Sequence, residues 1–212
     1  MCGRFRLVEP KWAFSQVALT PTFDFRPRYN IAPTQKIPVV SALDKLEEMR
    51  WGIVPQWAGA KSSILINARS ESVREKRSFK RLFAERRCLV LADGFYEWTK
   101  TKRPHLFKLQ DNQPFTIGAF YDTGEENRCC LLTTAPNEIM LPVHDRMPVI
   151  IRKEDWAQWL ELGDLDDQTF TRLTSPYATK EMQPALEVSK LVNSAKTDGA
   201  ECCEPLQPML NF

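Results

Sequence analysis

Long apolar runs are missing from this sequence. No stretch approaches the roughly 20 apolar residues that cross a bilayer, and the amino terminus lacks the charged-then-apolar layout of a secretory signal. The chain is therefore expected in the cytoplasm, off the membrane, with its thiols reduced. Glycine is scarce as well: eight residues, scattered along the chain. No glycine-rich loop is present to cradle a phosphate, which removes the common nucleotide-binding fingerprints. The six cysteines, at positions 2, 88, 129, 130, 202 and 203, include no C-x-x-C pair, and their spacing offers no metal-ligand set. Neither a metal nor a small-molecule cofactor is expected. Histidine is limited to His105 and His144. Charge is nearly balanced, with a net +2, so a surface for a polyanion must come from how the 29 Lys and Arg are distributed.

What is present reads as one α+β domain over residues 1–212, long enough to bury a core without disulfides. "EPKWAFSQVAL" puts Pro10 in the first turn of a short helix. The four prolines of "TPTFDFRPRYNIAPTQKIPVV" force extended or turning backbone. "EMRWGIVP" reads as a strand ended by Pro55, "ILIN" as a short strand, and "SFKRLFAERR" as a helix with Phe79, Leu82 and Phe83 on one face. "RCLVLADGFYEW", "PHLFKLQ", "QPFTIGAFYD" and "RCCLLTTA" are strand-like runs separated by turn residues, which predicts antiparallel neighbours. Cys88, Cys129 and Cys130 fall inside them and read as buried, inert thiols. "KEDWAQWLEL" and "QTFTRLT" are helical, and "MQPALEVS" returns to a strand. The expected architecture is a curled antiparallel sheet or barrel with peripheral helices.

Four short stretches concentrate reactive groups. "MCGRF" places Cys2 behind a methionine that aminopeptidases remove when the next side chain is small. The mature chain would then carry an α-amine and a thiol on adjacent carbons. "INARSES" supplies Asn67 and Arg69, which alternate and so share a face of a strand end. "ADGFYEW" sets Glu97 between aromatics after an apolar run, where an acid is costly to bury unless paired or perturbed. "VHDRMPVI" gives His144 with Asp145 and Arg146 beside it and Pro142 and Pro148 stiffening the segment. His105, in "KRPHLFK", has no such company and reads as structural.

Together these stretches resemble the SOS-response-associated peptidase family, the SRAP domain, which includes the bacterial and animal abasic-site crosslinking proteins. The resemblance runs from "MCGRF" through "RPRYNIAPTQ", "RWGIVPQW", "LINARSES", "LADGFYEW" and "HDRMPVI" to "VNSAKTDGAE". It implies a mature amino-terminal cysteine that becomes covalently attached to an abasic site in single-stranded DNA. The positions matching the family's active site are Cys2, Asn67, Glu97 and His144. Those matching its DNA contacts are Arg4, Arg69, Arg77 and Arg146, with Trp57 near the bases. The loop "PQWAGAK" has one tryptophan where some relatives have a pair, so base stacking is expected to differ here.

The implied chemistry needs these groups. An α-amine, which ordinarily titrates at roughly 7.7–8.0, has an appreciable neutral fraction near neutrality, whereas lysine has very little. It adds to the aldehyde of a ring-opened abasic sugar, and a thiol two bonds away closes a thiazolidine. In this reading Glu97 manages protons at the amine, His144 donates to the sugar ring oxygen, and Asn67 positions. The expected partner is single-stranded DNA carrying abasic sites, bound by a monomer associated with the nucleoid. Two other classes share the features: an amino-terminal-nucleophile thiol peptidase acting on amides, including its own leader, and a non-covalent binder of single-stranded or modified DNA.

Overall fold

The structure, a computed structural model, describes residues 2–55 and 64–206. The most apolar runs form a ring of strands. A hairpin of β3 (Lys36–Ala42) and β4 (Lys45–Trp51) joins β6 (Arg87–Ala92), β9 (Phe115–Asp122) and β10 (Arg128–Thr134) in the order β10-β4-β3-β6-β9. β9 then pairs back onto β10 through Cys129↔Tyr121 and Cys130↔Phe120 and closes the ring. β6 is buried at every position, as a strand covered on both faces must be. Cys88, Cys129 and Cys130 lie buried in this ring as unpaired thiols, matching the sequence expectation.

One part of the pairing departs from that expectation. β10 runs parallel to β4 through Arg128↔Arg50 and parallel to β5 (Asn67–Arg69) through Leu131↔Asn67. β4 and β5 therefore lie end to end along one neighbour. The strand expected to run to Pro55 stops at Trp51, because Gly52 takes a φ of 122°, a left-handed conformation open to glycine.

The run "RCLVLADGFYEW" is two strands in two sheets. It breaks at Asp93, whose carboxylate accepts from the backbone N–H groups of Val8 and Glu9 at 2.6 and 2.8 Å and pairs with Arg6 at 2.9 Å. Beyond it, β7 (Gly94–Trp98) enters a second, five-stranded sheet in the order β13-β8-β7-β1-β2. Its other members are β1 (Arg4–Leu7), β2 (Arg28–Ile31), β8 (Pro104–Phe107) and β13 (Leu186–Glu187). The stretch "MQPALEVS" contributes only the two residues of β13.

β1 alternates, with Phe5 and Leu7 buried toward the main core and Arg4 and Arg6 on the other face. That other face is covered by the segment from residue 188 to 203, around a small cluster of Tyr96, Leu106, Val188, Val192 and Cys202. The helices are peripheral. α1 (Pro10–Val17) begins with its proline as expected and ends where Ala18 turns left-handed. α2 (Ser70–Val73) and α3 (Lys80–Glu85) link β5 to β6. α4 (Trp156–Leu160) presses Trp159 against Gly118 of β9, where a Cβ would sit 2.9 Å from the indole; α5 (Asp167–Thr174) is capped by Asp166. None of the described helices is long and apolar enough to cross a membrane.

Candidate active site

The two sheets meet at the amino terminus. β7 lies beside β1 through Arg4↔Tyr96, which puts Glu97 next to the start of the chain. β5 arrives from the ring. Asn67, its first residue, donates from Nδ2 to the Cys2 carbonyl at 2.7 Å, while its own Oδ1 is buried and without a partner. Cys2 is fully buried, and burial pushes its thiol pKa well up, with the Glu97 charge adding to the shift. Glu97 is 2 % exposed. Burial raises its carboxyl to about 7, the positive amino terminus opposes that rise, and Asp145 adds to it.

His144 comes from the loop between β10 and β11 (Met147–Pro148). A local turn fixes that loop: the N–H groups of Val143 and His144 donate to the Met140 carbonyl at 2.8 and 2.9 Å. The Arg146 N–H then donates to His144 Nδ1 at 3.0 Å. Asp145 Oδ1 is also 3.0 Å from that nitrogen, on a side chain 86 % exposed. A neutral ring with Nδ1 accepting satisfies the backbone donor and leaves the hydrogen on Nε2, which faces Glu97 Oε2 at 3.9 Å. The pKa agrees: burial first, and then the positive amino terminus, lower His144 below its usual value.

Cys2, Asn67, Glu97 and His144 are thus drawn from four separate segments to one place. The arginines differ among themselves. Arg4 is half-buried, and its NH1 donates to the neutral Asn30 Oδ1 at 3.3 Å while its Nε has no partner. Arg146 is only 12 % exposed and holds Glu71 with both terminal nitrogens, at 2.5 and 2.9 Å, and the Thr133 carbonyl at 2.6 Å. That pair pulls Glu71 below the ordinary carboxylate range. Arg69 is exposed at the end of β5, with Ala68 buried between it and Asn67, as the alternation predicts. Arg77 is exposed between α2 and α3 and lines a shallow cavity with Phe79 and Arg81. Trp57 lies outside the described residues. His105 lies opposite Glu97 in the β7–β8 pairing, and its ring bonds the Arg103 carbonyl.

Sequence reading missed the partners that hold the site. Asn30, Asp93 and Asp198 sit in motifs quoted above, but nothing in their spacing tells which distant backbone groups they serve. Among the described residues no cluster of three or more His, Cys, Asp or Glu could hold a metal ion.

Comparison with known proteins gives one consistent answer. The family model described as SOS response associated peptidase (SRAP) matches residues 1–195. Abasic site processing protein YoqW of Bacillus subtilis (strain 168) is 37% identical, covering 96% of this chain and 99% of its own length. Abasic site processing protein YedK of Escherichia coli (strain K12) is 29% identical over 97% of this chain and all of its own. Abasic site processing protein HMCES of Xenopus tropicalis is 28% identical over 84% of this chain and 66% of its own. Among solved structures, a protein from Bacteroides thetaiotaomicron superposes with a TM-score of 0.83 at 21% identity, covering 97% of this chain and 100% of that one. At that identity the likeness speaks for the fold.

Proposed function

The chain belongs to the SOS response associated peptidase family, and from that premise we propose that it captures abasic sites in single-stranded DNA covalently through the amine and thiol of Cys2. The observation that carries this reading is the gathering of Asn67, Glu97 and His144 around the amino-terminal cysteine.

Removal of Met1 frees the α-amine. The neutral amine adds to the C1′ aldehyde of the ring-opened sugar, and the resulting carbinolamine loses its hydroxyl with one proton as water. The Cys2 S–H then adds across the C=N bond, sulfur to carbon and hydrogen to nitrogen, closing the five-membered ring. One water leaves, and nothing is oxidised or reduced. The amine leads because burial disfavours thiolate at Cys2; the thiol needs the electrophilic imine before it adds.

Glu97, with a pKa of about 7, populates both forms at neutral pH. Its carboxylate takes a proton from the α-ammonium, and its acid form returns one to the departing hydroxyl. His144 directs Nε2–H toward the same space. It donates to the sugar ring oxygen, and its imidazolium, a minor form at neutral pH, completes ring opening. Asn67 fixes the Cys2 carbonyl and leaves Oδ1 as an acceptor for the amine or the carbinolamine hydroxyl. Arg4, Arg69 and Arg77 take phosphates. Arg146, occupied by Glu71, holds the His144 loop in place.

The test is a denaturing gel of the mature protein with three substrates: an abasic single strand, the same strand reduced to the alcohol, and a peptide. A retarded band with the abasic strand alone is expected. Peptide turnover without a DNA adduct would favour the peptidase reading, and an equal band with the reduced strand would remove the aldehyde from the mechanism.

A further inference from the structure

Three cations line the face of the five-stranded sheet that lies under the carboxyl-terminal segment. Arg6 is neutralised by Asp93, and Arg28 by Asp198. Arg4, two residues from the reacting cysteine, meets no carboxylate among the described residues; it meets the side-chain oxygen of Asn30. Burial lowers its pKa, which measures the cost of holding a guanidinium there without a counterion.

Asn30 is fully buried, and its orientation is fixed by its partners. Its Nδ2 faces three backbone carbonyls, those of Val192, Ser194 and Thr197, at 3.2, 2.9 and 2.7 Å. With the amide nitrogen committed to acceptors, the oxygen must point at Arg4. The backbone is pinned as well, since the N–H groups of Tyr29 and Asn30 both donate to Asp198 Oδ1 at 2.7 Å. Asp198 spends its charge on Arg28 and those N–H groups. Among the described residues, the side chain that meets the Arg4 guanidinium is this neutral amide.

We infer that Asn30 is a positioning residue for DNA binding: it orients the Arg4 guanidinium toward the phosphate beside the captured sugar while leaving its positive charge uncompensated, and it ties that grip to the segment 192–198. An aspartate in the same place would hold Arg4 as well but would cancel the charge the phosphate needs. The inference rests on the proposed binding of single-stranded DNA.

The experiment measures affinity for a single strand carrying a tetrahydrofuran abasic analogue, which cannot form an aldehyde, across a range of salt concentrations. Arg4→Ala and Asn30→Asp are each expected to lower the slope of log K against log salt by about 0.7, one phosphate contact. The double variant is expected to lose no more than Arg4→Ala alone, because both act on one contact. Additive losses would overturn the inference and make Asn30 a general structural residue. Since a carboxylate facing three carbonyls can impair folding, Arg4→Lys supplies an independent arm. It keeps the charge but not the fork held by Asn30, so its affinity should fall several-fold, toward that of Arg4→Ala; binding equal to the unaltered protein would contradict the inference. Absence of salt-dependent binding by the unaltered protein would instead remove the proposed function, and the inference with it.

Discussion

In the strand ring, the buried side chains of β6 and β10 include Leu89, Val90, Leu91, Leu131, Leu132 and three thiols, and the buried hydroxyls of Thr116 and Thr133 bond nearby carbonyls. In the five-stranded sheet and the joint that leads into it the buried set includes Asn30, Asp93 and Glu97. The thiols sharpen the contrast. Burial raises the pKa of Cys129 to about 12, and it raises that of Cys2 as well. A raised thiol pKa therefore does not separate the ring cysteines from the one proposed to react. Position does: Cys2 alone can carry a free amine on the neighbouring carbon, and it alone lies beside a carboxyl that titrates near neutrality. The ring supplies rigidity, and the five-stranded sheet holds costly polar groups in place against it.

The largest difference between the two regions should appear in matched cysteine substitutions. Cys2→Ala is expected to abolish adduct formation. Cys130→Ala should leave adduct yield unchanged and reduce stability by about 1 kcal/mol, read by urea unfolding.

Next in size is Glu97→Gln. A time course should show adduct formation slowed by about 10²–10⁴-fold, the usual contribution of a positioned acid–base group. The same substitution tests the pKa. A folded value of about 7 lies above the ordinary 4.5, so the folded state keeps its proton longer. The stability this contributes is complete below pH 4.5 and lost as pH rises through 7. Between about pH 5 and pH 8 the unaltered protein should lose about 3 kcal/mol more than Glu97→Gln; equal pH dependence would mean that Glu97 titrates normally.

Phe120→Ala acts on the ring. Phe120 is fully buried against Phe79 and Phe83. Unfolding should show a loss of about 3–5 kcal/mol, with the adduct rate per folded molecule unchanged. A slowed rate in the folded fraction would mean that the two regions are coupled. The smallest effect belongs to Arg103→Ala, which removes an exposed pair with Glu187 at the sheet's edge. Neither stability nor adduct rate should change measurably.

The same contrast explains how much could be read from the sequence. The ring's strands were legible as apolar runs between turn residues, and α1 was legible from Pro10, because these signals are local. The family's motifs marked Cys2, Asn67, Glu97 and His144 before any geometry. The division of "LVLADGFYEW" between two sheets was not legible, since it depends on Asp93 meeting backbone N–H groups 84 and 85 positions away. Nor was the state of Arg146. As a sequence feature it resembled Arg4, and only its distance from Glu71, 75 positions away, distinguishes a paired arginine from one held by a neutral amide. The parallel pairing of β10 with β4 and β5 was hidden for the same reason: register between distant strands leaves no trace in either run.

The central claim, that the adjacent amine and thiol of Cys2 form the bond to DNA, is tested most directly by intact mass spectrometry of the protein after incubation with abasic single-stranded DNA. The expected product is a species lacking Met1, heavier by the mass of the strand minus one water, with no adduct from a version of the protein that retains residues ahead of Cys2. An adduct formed equally well by the extended version would contradict the claim, because the α-amine would then have no part in the reaction.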